Sequence, residues 1–229
     1  MILLDGKKTS SDIKDELSKE VDELVSSGVK KPHLAAILVG SNGASETYVG
    51  AKVKACEQVG FDSTLVRFNE DISELDLLNE INKINNNQNI DGLIVQLPLP
   101  NHIDELKVTQ AINVEKDVDG FHPTNIGRMA LNLQTYLPAT PAGIMELLSR
   151  YNIKTSGKHC VVVGRSHIVG SPMSILMARN NTPGNSTVTL THSRTKNLKE
   201  ITRTADILIV ALGKAQFINS EMIKDGACI

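Results

Sequence analysis

The sequence predicts an α/β protein of two domains, each built on a parallel sheet. Three observations carry that prediction. Short aliphatic and β-branched runs alternate with segments of helical apolar spacing along the 229-residue chain. The alternation breaks once, between Asp117 and Ala142, where Asp-Val-Asp-Gly, His-Pro and Pro-Ala-Thr-Pro steps leave little periodicity. It then resumes with a strand that runs straight into a glycine-containing turn and another helix.

Taken in order, residues 11–27 place Ile13, Leu17, Val21, Leu24 and Val25 on one helical face, and Gly28 is suited to stop the helix. Strand patterns follow at 33–39, 64–68 and 92–97, with helical patterns at 46–59 and 74–84 between them. Strands separated by helices pair in parallel, because each helix carries the chain back to the starting edge. Residues 85–89, Asn-Asn-Asn-Gln-Asn, read as a polar loop into the third strand. The second series runs helix 143–151, strand 160–163, helix 172–179, strand 187–191, helix 198–204 and strand 207–212. With 117–142 as the connection, the domains are expected at 1–137 and 138–229.

Composition removes several function classes. Lys plus Arg number 24 and Asp plus Glu 26, a net charge of -2, so nothing electrostatic favours nucleic acid or an anionic membrane as partner. The longest apolar runs, such as Cys160-Val161-Val162-Val163, are too short to span a bilayer. The N-terminus, Met1-Ile2-Leu3-Leu4-Asp5, lacks the basic start and long apolar stretch of a secretory signal. Cys56, Cys160 and Cys228 are dispersed without metal-ligand spacing and read as buried thiols in a reducing compartment. A cytoplasmic location is expected, and no metal.

The strand Val161-Val162-Val163 enters Gly164-Arg165-Ser166-His167-Ile168-Val169-Gly170-Ser171-Pro172 and then a helix. Such a turn presents backbone N–H groups and a helix N-terminus to a pyrophosphate, as in Rossmann-type domains. Gly164 suits the tight turn and Gly170 the close approach of helix to strand; Ser166 stands where the usual pattern has a second glycine. The next strand ends at His192-Ser193-Arg194-Thr195-Lys196, without the acid that binds the ribose hydroxyls of NAD. Arg165, Ser193 and Arg194 instead supply a hydroxyl and two guanidinium groups, which suit the 2′-phosphate of NADP. An exposed basic loop is the plainer alternative.

Earlier in the chain, Tyr48 and Lys52 stand four residues apart on a helical pattern, side by side at the edge of the apolar stripe Val49, Val53 and Cys56. A lysine partly removed from water can exchange protons near neutral pH; a surface lysine lying against a half-buried tyrosine is the plainer alternative. In Val95-Gln96-Leu97-Pro98-Leu99-Pro100 the prolines stop the strand and leave Gln96 at its carboxyl end, where parallel sheets bind ligands. Asp117 and Asp119, flanking Val118 before Gly120, read as a turn rather than as metal ligands with His122.

Together these segments resemble the bifunctional methylenetetrahydrofolate dehydrogenase/methenyltetrahydrofolate cyclohydrolase family. The matches are Tyr-Val-x-x-Lys at 48–52, Val-Gln-Leu-Pro-Leu-Pro at 95–100, Lys-Asp-Val-Asp-Gly-Phe-His-Pro at 116–123 and Gly-Arg-Ser-x-x-Val-Gly-x-Pro at 164–172, in the family's order and spacing. The resemblance implies an N-terminal catalytic domain and a C-terminal Rossmann-type NADP-binding domain with a parallel sheet. It implies NADP-dependent oxidation of 5,10-methylenetetrahydrofolate and hydrolysis of the methenyl product to 10-formyltetrahydrofolate, within the one-carbon metabolism that feeds purine biosynthesis. Lys52 would be the acid/base of the hydrolysis, held by Gln96. Tyr48 would stack on the aminobenzoate and Asp119 would bind the pterin, with Val95 and Leu97 beside the substrate. Gly164, Arg165, Ser166, Ser193, Arg194 and Ile229 would contact NADP, and a homodimer is expected.

Two departures accompany the match. Ala139 stands where many relatives carry Cys, and the chain stops at Ile229 inside an apparent strand, Gly226-Ala227-Cys228-Ile229. A doubly wound domain entered at Gly164 needs roughly 50 further residues, so continuation beyond Ile229 is expected, and poor folate turnover without it. A short-chain dehydrogenase also uses Tyr-x-x-x-Lys, but its glycine turn precedes that pair; here it follows. An amino-acid or shikimate dehydrogenase-like enzyme shares the domain order and would act without folate. A non-catalytic NADP- or folate-binding remnant is the reading from a different class.

Overall fold

Both strand-rich regions resolve into three-stranded parallel sheets whose middle strand is the first in sequence. The computed structural model describes residues 2–229, which form two compact units, Leu3–Thr124 and Asn125–Ile229. The first holds α1 (Gly6–Ser26), β1 (His33–Val39), α2 (Gly43–Val59), β2 (Asp62–Phe68), α3 (Glu74–Asn86), β3 (Gly92–Val95) and α4 (Glu105–Ala111). Helix α5 (Pro123–Ala130) crosses the division. The second unit continues with α6 (Ala139–Arg150), β4 (His159–Val163), α7 (Gly170–Ala178), β5 (Thr187–Thr191), α8 (Leu198–Thr202) and β6 (Ile207–Val210).

In the first unit the order is β2-β1-β3. Successive side chains of a strand point to opposite faces. Ala35, Ile37 and Val39 therefore join Leu77 and Ile81 of α3, Leu93 and Val95 of β3 and Val108 of α4 in the larger core. Ala36 and Leu38 face Val49 of α2 on the other side. Cover on both faces is why β1 reads as an unbroken apolar run. Helix α2 starts where the Asn42 side chain accepts from Ala44 N and Ser45 N, and stops at Gly60 in the left-handed region (φ 81°). Those two ends set the rotation at which Lys52 is presented.

The second unit repeats the arrangement as β5-β4-β6, with Cys160, Val162, Met173, Met177, Ile207 and Ile209 in its main core. A polar detail recurs as well. In the first sheet Asp91 accepts from His33 N at 2.9 Å and the His33 ring meets Thr64 Oγ1 at 2.8 Å. In the second, Asp206 accepts from His159 N at 3.0 Å and the His159 ring meets Thr189 Oγ1 at 2.9 Å. The positions correspond in register, with each Thr opposite the residue two beyond the His.

The structure departs from the sequence reading in identifiable places. Leu17, Leu24 and Val25 of α1 are exposed and Val21 is buried, because α1 lies against α2 and only its line through Thr9 and Val21 is covered. Asn85 and Asn86 belong to α3, and Asn85 bonds Ala111 O and Asn113 N, tying down the end of α4. The stretch 117–142 contains α5 and the start of α6, where Pro141 fits the first turn, which needs no N–H from it. The compact units divide at Thr124/Asn125, since Ile126, Met129 and Leu137 pack into the second core. Cys56 and Cys160 are buried, whereas Cys228 is half-buried; it pairs with Ile207 as an isolated bridge rather than within a strand.

Candidate active site

The first unit gathers Lys52, Gln96 and Asp119 around one ammonium group. Lys52 Nζ donates to Gln96 Oε1 at 3.4 Å and stands 3.6 Å from Asp119 Oδ2. Gln96 lies just past β3, with its N–H on Ile37 O extending the ladder by one bond. Its side-chain amide donates to Leu97 O at 2.7 Å, which turns the carbonyl oxygen toward Lys52. Burial pushes the Asp119 carboxyl above its ordinary value; the Lys52 charge opposes this and the nearby Asp117 charge adds to it. The result is a cation held by one neutral and one anionic oxygen, with the Lys52 side chain 30% exposed. Such a group is reachable by substrate and is positioned for proton transfer.

Asp119 comes from a turn anchored on β3. Leu93 N donates to Lys116 O at 2.7 Å, and Gly120 N donates to Asp117 O at 3.1 Å. The buried Asp117 carboxylate accepts from Phe121 N at 3.3 Å and His122 N at 2.8 Å. Gly120 has φ 70°, a conformation that favours glycine. Among the described residues no three His, Cys, Asp or Glu side chains gather as a metal site.

In the second unit, Gly164 (φ 116°) follows β4, and a β-carbon there would stand 2.4 Å from Ala211 O. At Gly170 it would stand 1.9 Å from Gly164 O. Ser166, in place of a glycine, uses its hydroxyl to accept from Val169 N at 3.1 Å and Gly170 N at 3.4 Å, capping the start of α7. Gly164 N donates to Thr191 O, so this turn and the one after β5 leave neighbouring strands at the same carboxyl edge. Arg165, Ser166, Ser193 and Arg194 are exposed there. The second turn is shaped by His192, whose N–H donates to Thr195 Oγ1 and whose ring accepts from Arg194 N. Cationic and hydroxyl donors without an acid at this edge fit a phosphate-bearing cofactor.

Residues 4–119 match the family described as tetrahydrofolate dehydrogenase/cyclohydrolase, catalytic domain, and residues 138–229 match its NAD(P)-binding domain. The chain belongs to the tetrahydrofolate dehydrogenase/cyclohydrolase family. The bifunctional protein FolD of Cytophaga hutchinsonii is 67% identical over 229 residues, covering all of this chain and 79% of its own length. That of Flavobacterium johnsoniae is 62% identical, with 78% of its length covered. The crystal structure of the bifunctional FolD methylenetetrahydrofolate dehydrogenase/cyclohydrolase from Campylobacter jejuni has TM-score 0.94 at 45% identity, with 99% of this chain and 79% of that one covered. A Trypanosoma brucei relative complexed with NADP and an inhibitor has TM-score 0.93 at 33% identity, covering 99% of this chain and 76% of that one.

In this tetrahydrofolate dehydrogenase/cyclohydrolase the remaining predicted site residues fall as follows. Tyr48 is one turn before Lys52 on α2 and 65% exposed, leaving its ring open to a planar ligand. Val95 ends β3 and is buried, and Leu97 is half-buried after it. Ile229 follows Cys228, which pairs with Ile207, the first residue of β6. Sequence reasoning passed over Asp117 as an ordinary turn residue. Its full burial, visible only in the fold, marks it out.

Proposed function

We propose that Lys52, Gln96 and Asp119 form the reacting centre of a methylenetetrahydrofolate dehydrogenase/methenyltetrahydrofolate cyclohydrolase that uses NADP. The observation that carries this reading is the placement of Lys52 Nζ between Gln96 Oε1 and Asp119 Oδ2. For the oxidation, bound NADP would supply the acceptor for a hydride from the methylene carbon. This step needs the two bound molecules aligned more than it needs a protein acid or base. Tyr48 offers its ring to the aminobenzoate, Asp119 a carboxyl to the pterin, and residues 95–97 the wall at the carboxyl end of β3. In the hydrolysis, water adds to the cationic methenyl carbon, one carbon–nitrogen bond breaks, and the formyl group stays on the other nitrogen. In its neutral form Lys52 Nζ takes a proton from the attacking water, and the ammonium so formed gives a proton to the nitrogen that leaves. Gln96 holds Nζ in line, and Asp119 stabilises its charged form.

Arg165, Ser193 and Arg194 would hold the 2′-phosphate, with the Gly164 turn and Ser166 at the start of α7 beside the pyrophosphate. No helix among the described residues is long and apolar enough to cross a membrane. A cytoplasmic location and a homodimer complete the proposal; sedimentation of the purified protein tests the second.

Lys52→Met tests the centre. Hydrolysis of the methenyl compound is expected to be lost while reduction of NADP with methylenetetrahydrofolate is retained in part; wild-type hydrolysis would show that another group moves the proton. Tyr48→Phe, which keeps the ring, is expected to be milder on both activities. Complete loss would assign chemistry to the hydroxyl.

A further inference from the structure

We propose that Asp117 is a positioning residue: its buried carboxylate folds the 117–122 turn and thereby sets where Asp119 stands against Lys52. The inference rests on the reading of Lys52 and Asp119 as a working pair.

Asp119 is reached from α4 by a short, irregular path, and irregular backbone holds a side chain in place only when its ends are fixed. One end is fixed by β3, through Leu93 N on Lys116 O and the Leu93–Asp117 bridge. Val118 reinforces it: a β-carbon on Gly92 would come within 2.7 Å of Val118 Cγ1, so this valine rests on the strand where a side chain is missing. The other end is fixed by Asp117 itself, which is 1% exposed. One carboxylate oxygen takes Phe121 N and the other His122 N, at 3.3 and 2.8 Å. Asp119 lies between the two anchors, and its carboxyl meets Nζ at 3.6 Å.

A turn required only to change direction has no need of a second carboxylate so close to Asp119. The charged groups acting on Asp119 are Lys52 from α2, which favours its ionised form, and Asp117 from its own turn, which opposes it. An arrangement that sets two acids near each other at some electrostatic cost fits a requirement for geometry.

The test is whether the Lys52–Asp119 coupling depends on Asp117. Carboxyl-carbon NMR follows the titration of Asp119 in the wild type, Lys52→Met, Asp117→Ala and the double variant. Lys52→Met is expected to raise the Asp119 pKa in the wild-type background and to leave it unmoved in the Asp117→Ala background. Methenyl hydrolysis by Asp117→Ala is expected to fall about 100-fold, the loss typical of a displacement near 1 Å, with NADP affinity unchanged. An equal response to Lys52→Met in both backgrounds overturns the positioning role. No response in the wild-type background overturns the pairing, and the proposed centre with it. Should Asp117→Ala not fold, Asp117→Asn, which keeps one acceptor for His122 N, carries the same comparison. Its coupling is expected to be reduced, and a coupling of wild-type size overturns the role.

Discussion

Gly170 lies so close to the carbonyl of Gly164 that a β-carbon on it would stand 1.9 Å from the oxygen. Backbone meets backbone here, so no side chain can swing aside to make room. Gly170→Ala is therefore expected to destabilise the second unit by roughly 3 kcal/mol or more and to weaken NADP binding, because the start of α7 must move. Urea unfolding and a cofactor titration check this. Wild-type stability and affinity together would mean that the turn tolerates displacement.

Arg165 and Arg194 stand exposed on the turns after adjacent strands, and the second turn, 192–196, carries no acid. Each is expected to make a charge-assisted contact to the 2′-phosphate. Replacing either by Ala should weaken NADP binding by about 1–3 kcal/mol and NAD binding far less. Calorimetric titration with both cofactors decides the matter, and equal losses for the two would remove the phosphate assignment.

Asp119 makes stability depend on pH in a direction opposite to most carboxylates. Burial raises its pKa in the folded chain above the unfolded value, so the folded state binds the proton more tightly. Its contribution to stability is then greatest when protonated and declines as pH rises from the unfolded pKa through the raised folded one. Asp119→Asn, neutral at every pH, is expected to remove that decline and to raise the melting temperature near neutral pH while lowering turnover. Thermal melts across the acid range test it. A variant less stable than wild type at neutral pH would show that attraction to Lys52 outweighs the cost of burial.

Asp206 behaves the other way. Lys224, together with the N–H of His159, holds its carboxyl down to about 2, so what it contributes is present above the ordinary carboxylate range and lost as pH falls toward that value. The group is solvent-facing, and salt will screen it. Acid unfolding of Lys224→Met is expected to begin at higher pH than wild type at low ionic strength and to coincide with it at high salt. A difference that survives high salt would point to lost packing instead.

Much of this molecule was legible before folding because the relevant physics is local. The apolar run in 33–39 and the Thr-Val-Thr-Leu-Thr alternation in 187–191 match β1 and β5 residue for residue, since a strand covered on both faces is apolar throughout and a partly exposed one alternates. Helical spacing put Tyr48 and Lys52 one turn apart, and the two prolines after Leu97 put Gln96 at a strand end, where backbone constraint alone decides. The glycine turn followed for the same reason. Only the tertiary structure could decide which distant groups meet. Lys52 reaches Asp119 because β1 sits between β2 and β3 and the turn after α4 returns to β3, a neighbourhood that periodicity does not encode. The division at Thr124/Asn125, the exposed face of α1 and the burial of Asp117 are of this kind. A helix pattern states that one face wants cover but not which core supplies it. A turn sequence states that the chain reverses but not what its side chains hold in place.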